Sequence, residues 1–453
     1  MTAWSIFTVI LIAKMICAAV TVAASTMFLV ARRRRGGDSS QTSCGSAHET
    51  VLFIVVPLLR EQRTIAALFR RLVAQLDTFP ELRIIFVTTE REILDDPETL
   101  DTTPSRLRQL ICDYKGDRDR IILLHYPSYN CVVAEQLNYG VSHIARLQKD
   151  LLPYTYVMFY NADSIIDART IVRTLAQARN RVPVIQQSAI FVANVPQLLQ
   201  QRRYYLAAHG LYQSSWTLQH ELPRYLFSRK IFSCIPRSIA RNSLVHCVTH
   251  GLCIRMDALT EVGGFPVTVL GGEDLCLGFL LKVHGYDVVP LSVLENATTP
   301  DSVRALWRQL AGWFLATTGY VMFWRFLRPD VRRRRRAAVW VITALGLEDS
   351  LKWLLKGALI VLYIYLGYLA GHLAITIILY LIYVYTSLAA LMWLWRRLPV
   401  ILFPRPPILP LLCTVVLYWV IPIVRSGPAV RGLWWAVRIM AGVPFTKPKT
   451  EGI

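Results

Sequence analysis

The sequence predicts an α/β domain held between one N-terminal transmembrane anchor and a C-terminal block of transmembrane helices. Three observations predict it. Apolar runs that approach the ~20 helical residues needed to cross a bilayer core occupy 3–30, 351–369, 373–395 and 408–424. Between the first and the second, short apolar runs alternate with segments of helical periodicity, the pattern of a sheet with crossover helices. Hydrophobic residues make up 54% of the 453, and the mean hydropathy of +0.39 is too apolar for a soluble chain of this size.

The elements follow in order. Residues 1–31 form the anchor, and Arg32-Arg33-Arg34-Arg35 directly after it resist translocation, so the reading is an uncleaved segment with the N-terminus outside. The alternative is a signal peptide, with Lys14 as its basic region and a cleavage site near Val22-Ala23-Ala24-Ser25. A basic and Gly/Ser-rich linker, 32–50, leads into the domain 51–300. Its first run, 51–56, is continuously apolar and stops at Pro57, as a buried parallel strand does. Residues 64–76 carry apolar residues at helical spacing, 82–87 is the next strand, and 121–124 and 156–159 complete a core of about four strands. From 200 to 247 aromatic and basic residues interleave, among them Tyr204, Tyr205, Tyr212, Trp216 and Tyr225 with Arg202, Arg203, Arg224, Arg229, Lys230, Arg237 and Arg241. That segment reads either as an amphipathic face packed on the sheet or as a surface for lipid headgroups or an anionic lipid carrier.

Beyond the domain, 301–350 reads as interfacial helices, because Glu348 and Asp349 interrupt the apolar stretch that starts at Ala337. Residues 351–425 read as transmembrane helices and 426–453 as an interfacial or short crossing segment with a tail, giving four or five crossings in all. The formal net charge of +20 does not indicate nucleic acid, because Arg32 to Arg35, Arg332 to Arg336, and Arg396 and Arg397 all flank apolar runs. They are topology anchors that also touch anionic lipid. The nine cysteines show no CxxC spacing and are expected unpaired in a reducing compartment, with the domain on the cytosolic face of a bacterial inner membrane.

Two acidic sites carry chemistry. Asn161-Ala162-Asp163-Ser164 follows the strand 156–159, on the side where open α/β sheets bind ligands, and a carboxylate there holds a cation. The alternative for Asp163 is a strand-ending turn or a cap on the helix that starts near Ile171. Further on, Gly271-Gly272-Glu273-Asp274 precedes a helix over 274–283 that ends at His284-Gly285. The glycine pair lets the backbone approach a ligand closely. Asp274, beside Glu273, is the candidate base, its pKa raised by burial from about 3.9; a helix cap is the alternative. A cation beside a diphosphate is worth roughly 4 kcal/mol per charge pair at ~4 Å and an effective dielectric near 20.

A series of motifs runs in one order. It begins with Pro57-Leu58-Leu59-Arg60-Glu61, Ala134-Glu135-Gln136-Leu137-Asn138 and Asn161-Ala162-Asp163-Ser164. It continues with His250-Gly251-Leu252, Val262-Gly263-Gly264-Phe265-Pro266, Gly272-Glu273-Asp274-Leu275 with Gly285-Tyr286, and Gln309-Leu310-Ala311-Gly312-Trp313, and the tail Lys447-Pro448-Lys449-Thr450 adds a Lys-Thr ending. Over roughly 50–325 this resembles the membrane-integral family 2 glycosyltransferases of GT-A fold, the group that includes cellulose, chitin and hyaluronan synthases. The resemblance implies a Rossmann-like mixed sheet that binds a nucleotide-sugar, and an inverting transfer to a lipid-linked or growing polysaccharide acceptor. It implies Mg2+ or Mn2+ on Asp163 and Asn161, and catalysis by Asp274 with Glu273. Donor contacts would come from Pro57, Glu61, Glu90, Asn138 and Gln309, and acceptor contacts from His250, Gly251 and Trp313.

The departures are specific. Asn161 stands where the family has the first Asp of DxD, Thr88-Thr89-Glu90 replaces an Asp pair, Val132-Val133 replaces a Gly-Lys, and Gly312 replaces the Arg of QxxRW. Arg304 or Arg308 is the candidate to restore that last charge. The losses favour addition of one or a few sugars over processive synthesis. A polymer exporter with Trp340 and Trp353 along a glycan path is the competing enzyme. A catalytically impaired scaffold subunit of a polysaccharide-synthesis complex and a transporter are the readings from other classes.

Overall fold

The computed structural model describes residues 2–34, 50–92, 101–129, 132–228, 243–397 and 408–443. Linker residues 36–49, Arg229, Lys230, Arg237, Arg241 and Lys447 to Thr450 lie outside the described residues.

Helix α1, Ala3–Arg34, is a single 32-residue element. The domain then alternates β1 (Val51–Pro57), α2 (Ile65–Leu76), β2 (Leu82–Thr89), β3 (Ile121–Tyr126), α3 (Val133–Leu147), β4 (Thr155–Phe159) and α4 (Ala168–Arg179), followed by β5 (Val184–Gln186) and β6 (Ala189–Ile190). After α5 (Tyr204–Trp216) come β7 (Leu252–Arg255), α6 (Glu273–His284), β8 (Val288–Pro290) and β9 (Glu295–Asn296), with shorter helices between. The alternation comes from β1 itself: every residue of the strand is apolar because both of its faces are covered. Leu52, Ile54 and Val56 pack with Leu68 and Leu72 of α2, whereas Phe53 and Val55 pack with Leu137 and Ile144 of α3.

Among the described residues the main sheet has seven strands in the order β3-β2-β1-β4-β7-β5-β8, and β6 pairs with β9 in a small second sheet. The expected core of about four strands is therefore too small. The missed strands β5 and β8 have three residues each and β7 has four, too short for a period of two to show. The order is mixed: β1, β2, β3 and β4 are mutually parallel, and β7 runs antiparallel to both β4 and β5.

The helical remainder starts with α7 (Val303–Thr318), α8 (Arg336–Leu369) and α9 (Leu373–Arg397) and ends with α10 (Ile408–Tyr418), α11 (Ile421–Val424) and α12 (Ser426–Met440). Among the described residues three helices are long and apolar enough to cross a membrane: Ala3–Ala31, Arg336–Leu369 and Leu373–Trp395. The chain over Leu409–Tyr418 and Ile421–Met440 bends by 48° and adds a fourth if it is one broken span, fewer than a five-crossing reading needs. Glu348 and Asp349 do not interrupt α8, which is continuous through them. Each has a local partner: Asp349 pairs with Arg224 at 2.7 Å beside Ser350, whose Oγ donates to Thr317 O at the end of α7 (3.3 Å), and the exposed Glu348 pairs with Lys352 one turn on. The described aromatic residues of the aromatic-basic segment are likewise packed rather than free: Tyr212 of α5 meets Tyr418 of α10 at a tilt (5.7 Å), and Tyr225 is fully buried.

The continuous apolar run of β1 carries the sheet, so Phe53→Ala, which empties a fully buried position, is expected to cost roughly 3–5 kcal/mol. Trp340→Ala, at a residue 65% exposed, leaves stability within about 0.5 kcal/mol; thermal unfolding of both variants in the same detergent checks the pair.

Candidate active site

Parallel strands bring their C-terminal ends to one edge of a sheet, and ligands of open α/β sheets bind there. Pro57 ends β1, Glu90 follows β2, and the loop Asn161-Ala162-Asp163 follows β4, so all three stand on that edge. Because β7 is antiparallel, it contributes its start to the same edge: Leu252 pairs with Phe159, and His250-Gly251 immediately before it stand beside the β4 loop. Gly251 N–H donates to Phe159 O (2.8 Å), and Gln187 N–H donates to Gly251 O (2.9 Å). Gly251 has φ +72°, and a Cβ there would lie 2.7 Å from Gln187 Cβ. Only glycine fits both constraints.

The segment ahead of β7 is tied down by Gln186, a fully buried side chain. Its Nε2 donates to Val248 O (3.1 Å) and His250 O (3.2 Å), and its Oε1 accepts from Val248 N–H (3.1 Å). Thr249 in turn donates from its N–H (3.2 Å) and Oγ1 (3.3 Å) to Asp274 Oδ2. Asp274 does not cap its helix. The N-cap of α6 is Gly272, at φ +75°, where a Cβ would meet Ala316 Cβ at 2.6 Å, and the Asp274 side chain turns instead to the Thr249 loop. Burial pushes the Asp274 carboxyl above its usual range, against the bonds from Leu275, Thr249 and the positive charge of His250. It is a carboxylate fit to accept a proton.

Asp163 is no cap either, because Asp167 caps α4 through Arg169 N–H (2.8 Å). Desolvation raises the Asp163 carboxyl, Glu295 raises it further, and His250 and Arg71 oppose. Glu61, whose Oε2 accepts from Thr64 Oγ1 (2.6 Å), is raised by its own burial, with Asp163 and Glu92 adding to it. His250 Nδ1 lies 2.8 Å from Glu295 Oε2, a buried carboxylate. Burial alone lowers the imidazole, but Glu295, with Glu221 and Asp163 beyond it, carries it up to about 9. His250 is therefore an imidazolium at neutral pH.

One cavity of about 850 Å³ gathers six of the residues expected from sequence: Asn161, Asp163, His250, Asp274, Gln309 and Trp313. Gln309 and Trp313 stand one turn apart on α7 and so share a face; the Trp313 ring meets Phe191 edge-on at 6.0 Å. Six others do not line the cavity. Pro57, Glu61 and Glu90 lie along β1 and β2, with Glu90 Oε1 paired to His125 Nε2 at 2.9 Å. Asn138 spends both ends of its amide on Phe265: Nδ2 donates to its O (2.7 Å) and Oδ1 accepts from its N–H (2.8 Å), which fixes the Gly264-Phe265 turn. Gly251 builds backbone, and Glu273 stays outside the lining. Arg304 and Arg308 are outside it too, whereas His250 brings a positive charge to the cavity.

For a divalent ion the donor set is small. Among the described residues no three His, Cys, Asp or Glu side chains converge on one point. Asp163 with the amide oxygen of Asn161 still suits Mg2+ or Mn2+, which take one or two protein oxygens and complete their shell with phosphate and water.

Sequence reasoning missed Glu295, Gln186 and Thr249, and missed that the cavity continues between the apolar helices, where Lys14, Lys352, Lys356 and Arg425 line it. A lone ionisable residue in an otherwise apolar helix is a signal for the last group; Lys14 had been read only as part of a signal peptide.

No protein-family model matches the chain, and no curated protein does. Among solved structures it is similar to the mannosyltransferase PcManGT from Pyrobaculum calidifontis, solved in complex with GDP-Man and Mn2+, at 16% identity, over 86% of this chain and 100% of that one, with a TM-score of 0.40. It is also similar to S. aureus TarS 1-349, at 10% identity over 86% of this chain and 92% of that one (TM-score 0.37). The same TarS fragment in complex with UDP-GlcNAc matches at 11% identity over 65% and 90% (TM-score 0.34).

The His250–Glu295 pair sets a pH dependence. A raised imidazole contributes stability that is fully present below its unfolded pKa near 6.5 and is lost as pH rises through about 9. Melting temperature is therefore expected to fall between those values, and Glu295→Gln to flatten the fall; pH-resolved thermal scans of the two proteins give the comparison.

Proposed function

We propose that the chain transfers a sugar from a nucleotide-sugar donor to an acceptor at a membrane surface. The observation that carries the reading is the meeting of Asp163, His250, Asp274, Gln309 and Trp313 in one cavity, at the ligand edge of the sheet and against the apolar helices. The solved glycosyltransferases it is similar to in shape bind GDP-Man or UDP-GlcNAc, which agrees with a nucleotide-sugar donor.

The roles follow from position. The donor lies over the C-terminal ends of β1, β2 and β4, its nucleoside toward Pro57 and Glu90 and its diphosphate toward Asp163 and Asn161. Mg2+ or Mn2+ bound there supplies neutralisation of the diphosphate charge. Imidazolium His250, held by Glu295, and the Gln309 amide add polar contacts on the side where Gly312 leaves no arginine. Trp313 gives the acceptor a flat apolar wall. Asp274 takes the proton of the acceptor hydroxyl as its oxygen attacks the anomeric carbon; the bond from that carbon to the diphosphate breaks, and the configuration inverts. The family 2 assignment, the cytosolic orientation of the domain and a place in cell-envelope polysaccharide synthesis belong to the same proposal.

One specific observation favours a second reading, an impaired homologue that scaffolds a polysaccharide-synthesis complex: the metal side offers one carboxylate, Asp163, beside a neutral Asn161. Under that reading Asp274→Asn leaves the cell's glycan unchanged.

Nucleotide release by the full chain in lipid nanodiscs, screened over UDP-, GDP- and TDP-sugars with Mg2+ or Mn2+ and a membrane lipid extract, tests transfer. Asp274→Asn is expected to lower turnover by roughly 10²–10⁴-fold, and Asp163→Ala to abolish the response to added metal. Turnover in wild type is expected to fall above about pH 9 as His250 loses its proton, a limb absent from His250→Gln. Release with no donor, or release indifferent to both aspartate variants, sinks the reading.

A further inference from the structure

The cavity does not end at the carboxylates. It runs down between α1, α8 and α9, and its wall changes chemistry in sequence: acidic at Asp163 and Asp274, basic at Lys14, Lys352, Lys356 and Arg425, then apolar at Phe7, Ile10, Leu11, Leu359 and Ile360. The basic groups form one level. Thr8 Oγ1 and Tyr363 OH are 3.3 Å apart, and from that contact Lys14 is six residues and Lys356 seven residues toward the domain, about 9 and 10 Å at 1.5 Å per residue.

Two of these cations are built in without a counter-charge. Arg425 is buried, with its guanidinium over Tyr212 (5.2 Å) and Trp353 (5.0 Å). Lys356 shares Tyr212 with it, its Nζ donating to Tyr212 OH (2.7 Å) and facing Tyr383 at 5.9 Å. Among the described residues neither Lys356, Arg425 nor Lys14 has an ion-pair partner; Lys352 pairs with Glu348 and the nearby Asp349 with Arg224. Aromatic faces offset part of the cost of desolvating a cation, but unpaired charge in such a place calls for an anion. The surroundings define the anion. It has an acidic, hydroxyl-activating site on one side and, on the other, a mostly apolar wall along about 10 Å of α8 from Lys356 to Tyr363, through Leu359 and Ile360.

The geometry points to a phosphate-bearing lipid as the acceptor, its phosphate on Lys14, Lys356 and Arg425, its chain between α1 and α8, and its headgroup reaching Asp274. This rests on the transfer reading above and names the acceptor that the reading leaves open between lipid and glycan. In the transfer the headgroup hydroxyl gives its proton to Asp274, its oxygen bonds the anomeric carbon, and the nucleoside diphosphate leaves with the bonding electrons; the lipid phosphate takes no part in bond changes. A polymer path is less suited to this wall, because a neutral glycan answers neither the unpaired cations nor the apolar end. Trp340 is not on the lining at all.

The test is binding, measured without any sugar donor. The detergent-purified full chain is offered a long-chain prenyl phosphate, the prenyl alcohol of equal length, or inorganic phosphate, and retained molecules are counted by native mass spectrometry. Retention of the prenyl phosphate at least tenfold above both controls is expected, with loss of that preference in Lys356→Gln/Arg425→Gln and its return in Lys356→Arg/Arg425→Lys. Asp274→Asn is expected to bind as wild type does. Equal retention of prenyl alcohol means an apolar groove only, and equal retention of inorganic phosphate a free-anion site; either overturns the proposal, as does a prenyl phosphate preference that survives the double variant. Should the glutamine pair fail to fold, the three-ligand comparison on wild type still decides. Binding intact while no donor is turned over sinks the transfer reading alone; turnover onto another acceptor without this binding sinks the lipid assignment alone.

Discussion

The backbone of Gly251 is the constraint on which the site depends. Its N–H reaches the last residue of β4 and its carbonyl the residue after β5, so a short antiparallel strand is inserted between two strands that would otherwise be unconnected at their ends. Everything chemical is referred to that junction. His250 precedes it, Thr249 holds Asp274 from the next loop, Gln186 fixes the segment from below, and Glu295 arrives from beyond β8 to pair with the imidazole. A side chain at position 251 would meet Gln187 at 2.7 Å and disturb the junction of β7 with β4 and β5. The same logic recurs at Gly272, whose positive φ and contact with Ala316 seat the start of α6 against α7 and so align Asp274 with Gln309 and Trp313.

The second determinant is electrostatic. Acidic groups dominate the sheet end of the cavity and basic groups the helix end; His250 pairs with Glu295, Lys352 with Glu348 and Asp349 with Arg224, while among the described residues Lys14, Lys356 and Arg425 have no ion-pair partner. Desolvation raises Asp163, Glu61 and Asp274 together, a state that a bound cation on one side relieves. On the other side Lys356 and Arg425 share Tyr212 between them, through its ring and, for Lys356, also its hydroxyl, with no carboxylate paired to either among the described residues. Folding alone gains little from such a wall.

Much of the site was legible because motif order survives where single motifs are weak. Asp163, Asp274, His250, Gln309 and Trp313 were named from their places in the series, and all five line the cavity. Asn138 and Gly251 were named too, but as binding residues; the structure gives their polar atoms to Phe265, Phe159 and Gln187. A motif residue that shapes backbone and one that touches ligand leave the same trace in sequence. Glu295 and Gln186 left none, since a single polar residue in a two- or three-residue strand has no period to break. Arg304 and Arg308 lie outside the lining by helical phase: they share α7 with Gln309 and Trp313 but not the face.

The sequence by itself determined the class of the fold, the apolar helices at both ends, and the strand and helix that carry the two aspartates. Continuous apolar runs, helical spacing and glycine pairs are local properties, written in neighbouring residues. Only the tertiary structure decided that α8 passes uninterrupted through Glu348 and Asp349, that three very short strands complete the sheet, and that four cations from three separate helical segments meet in the cavity below the carboxylates. Lys14, Lys356 and Arg425 are hundreds of residues apart or set on different helices. Their convergence depends on helix packing and register, which long-range contacts fix and which no window of sequence contains.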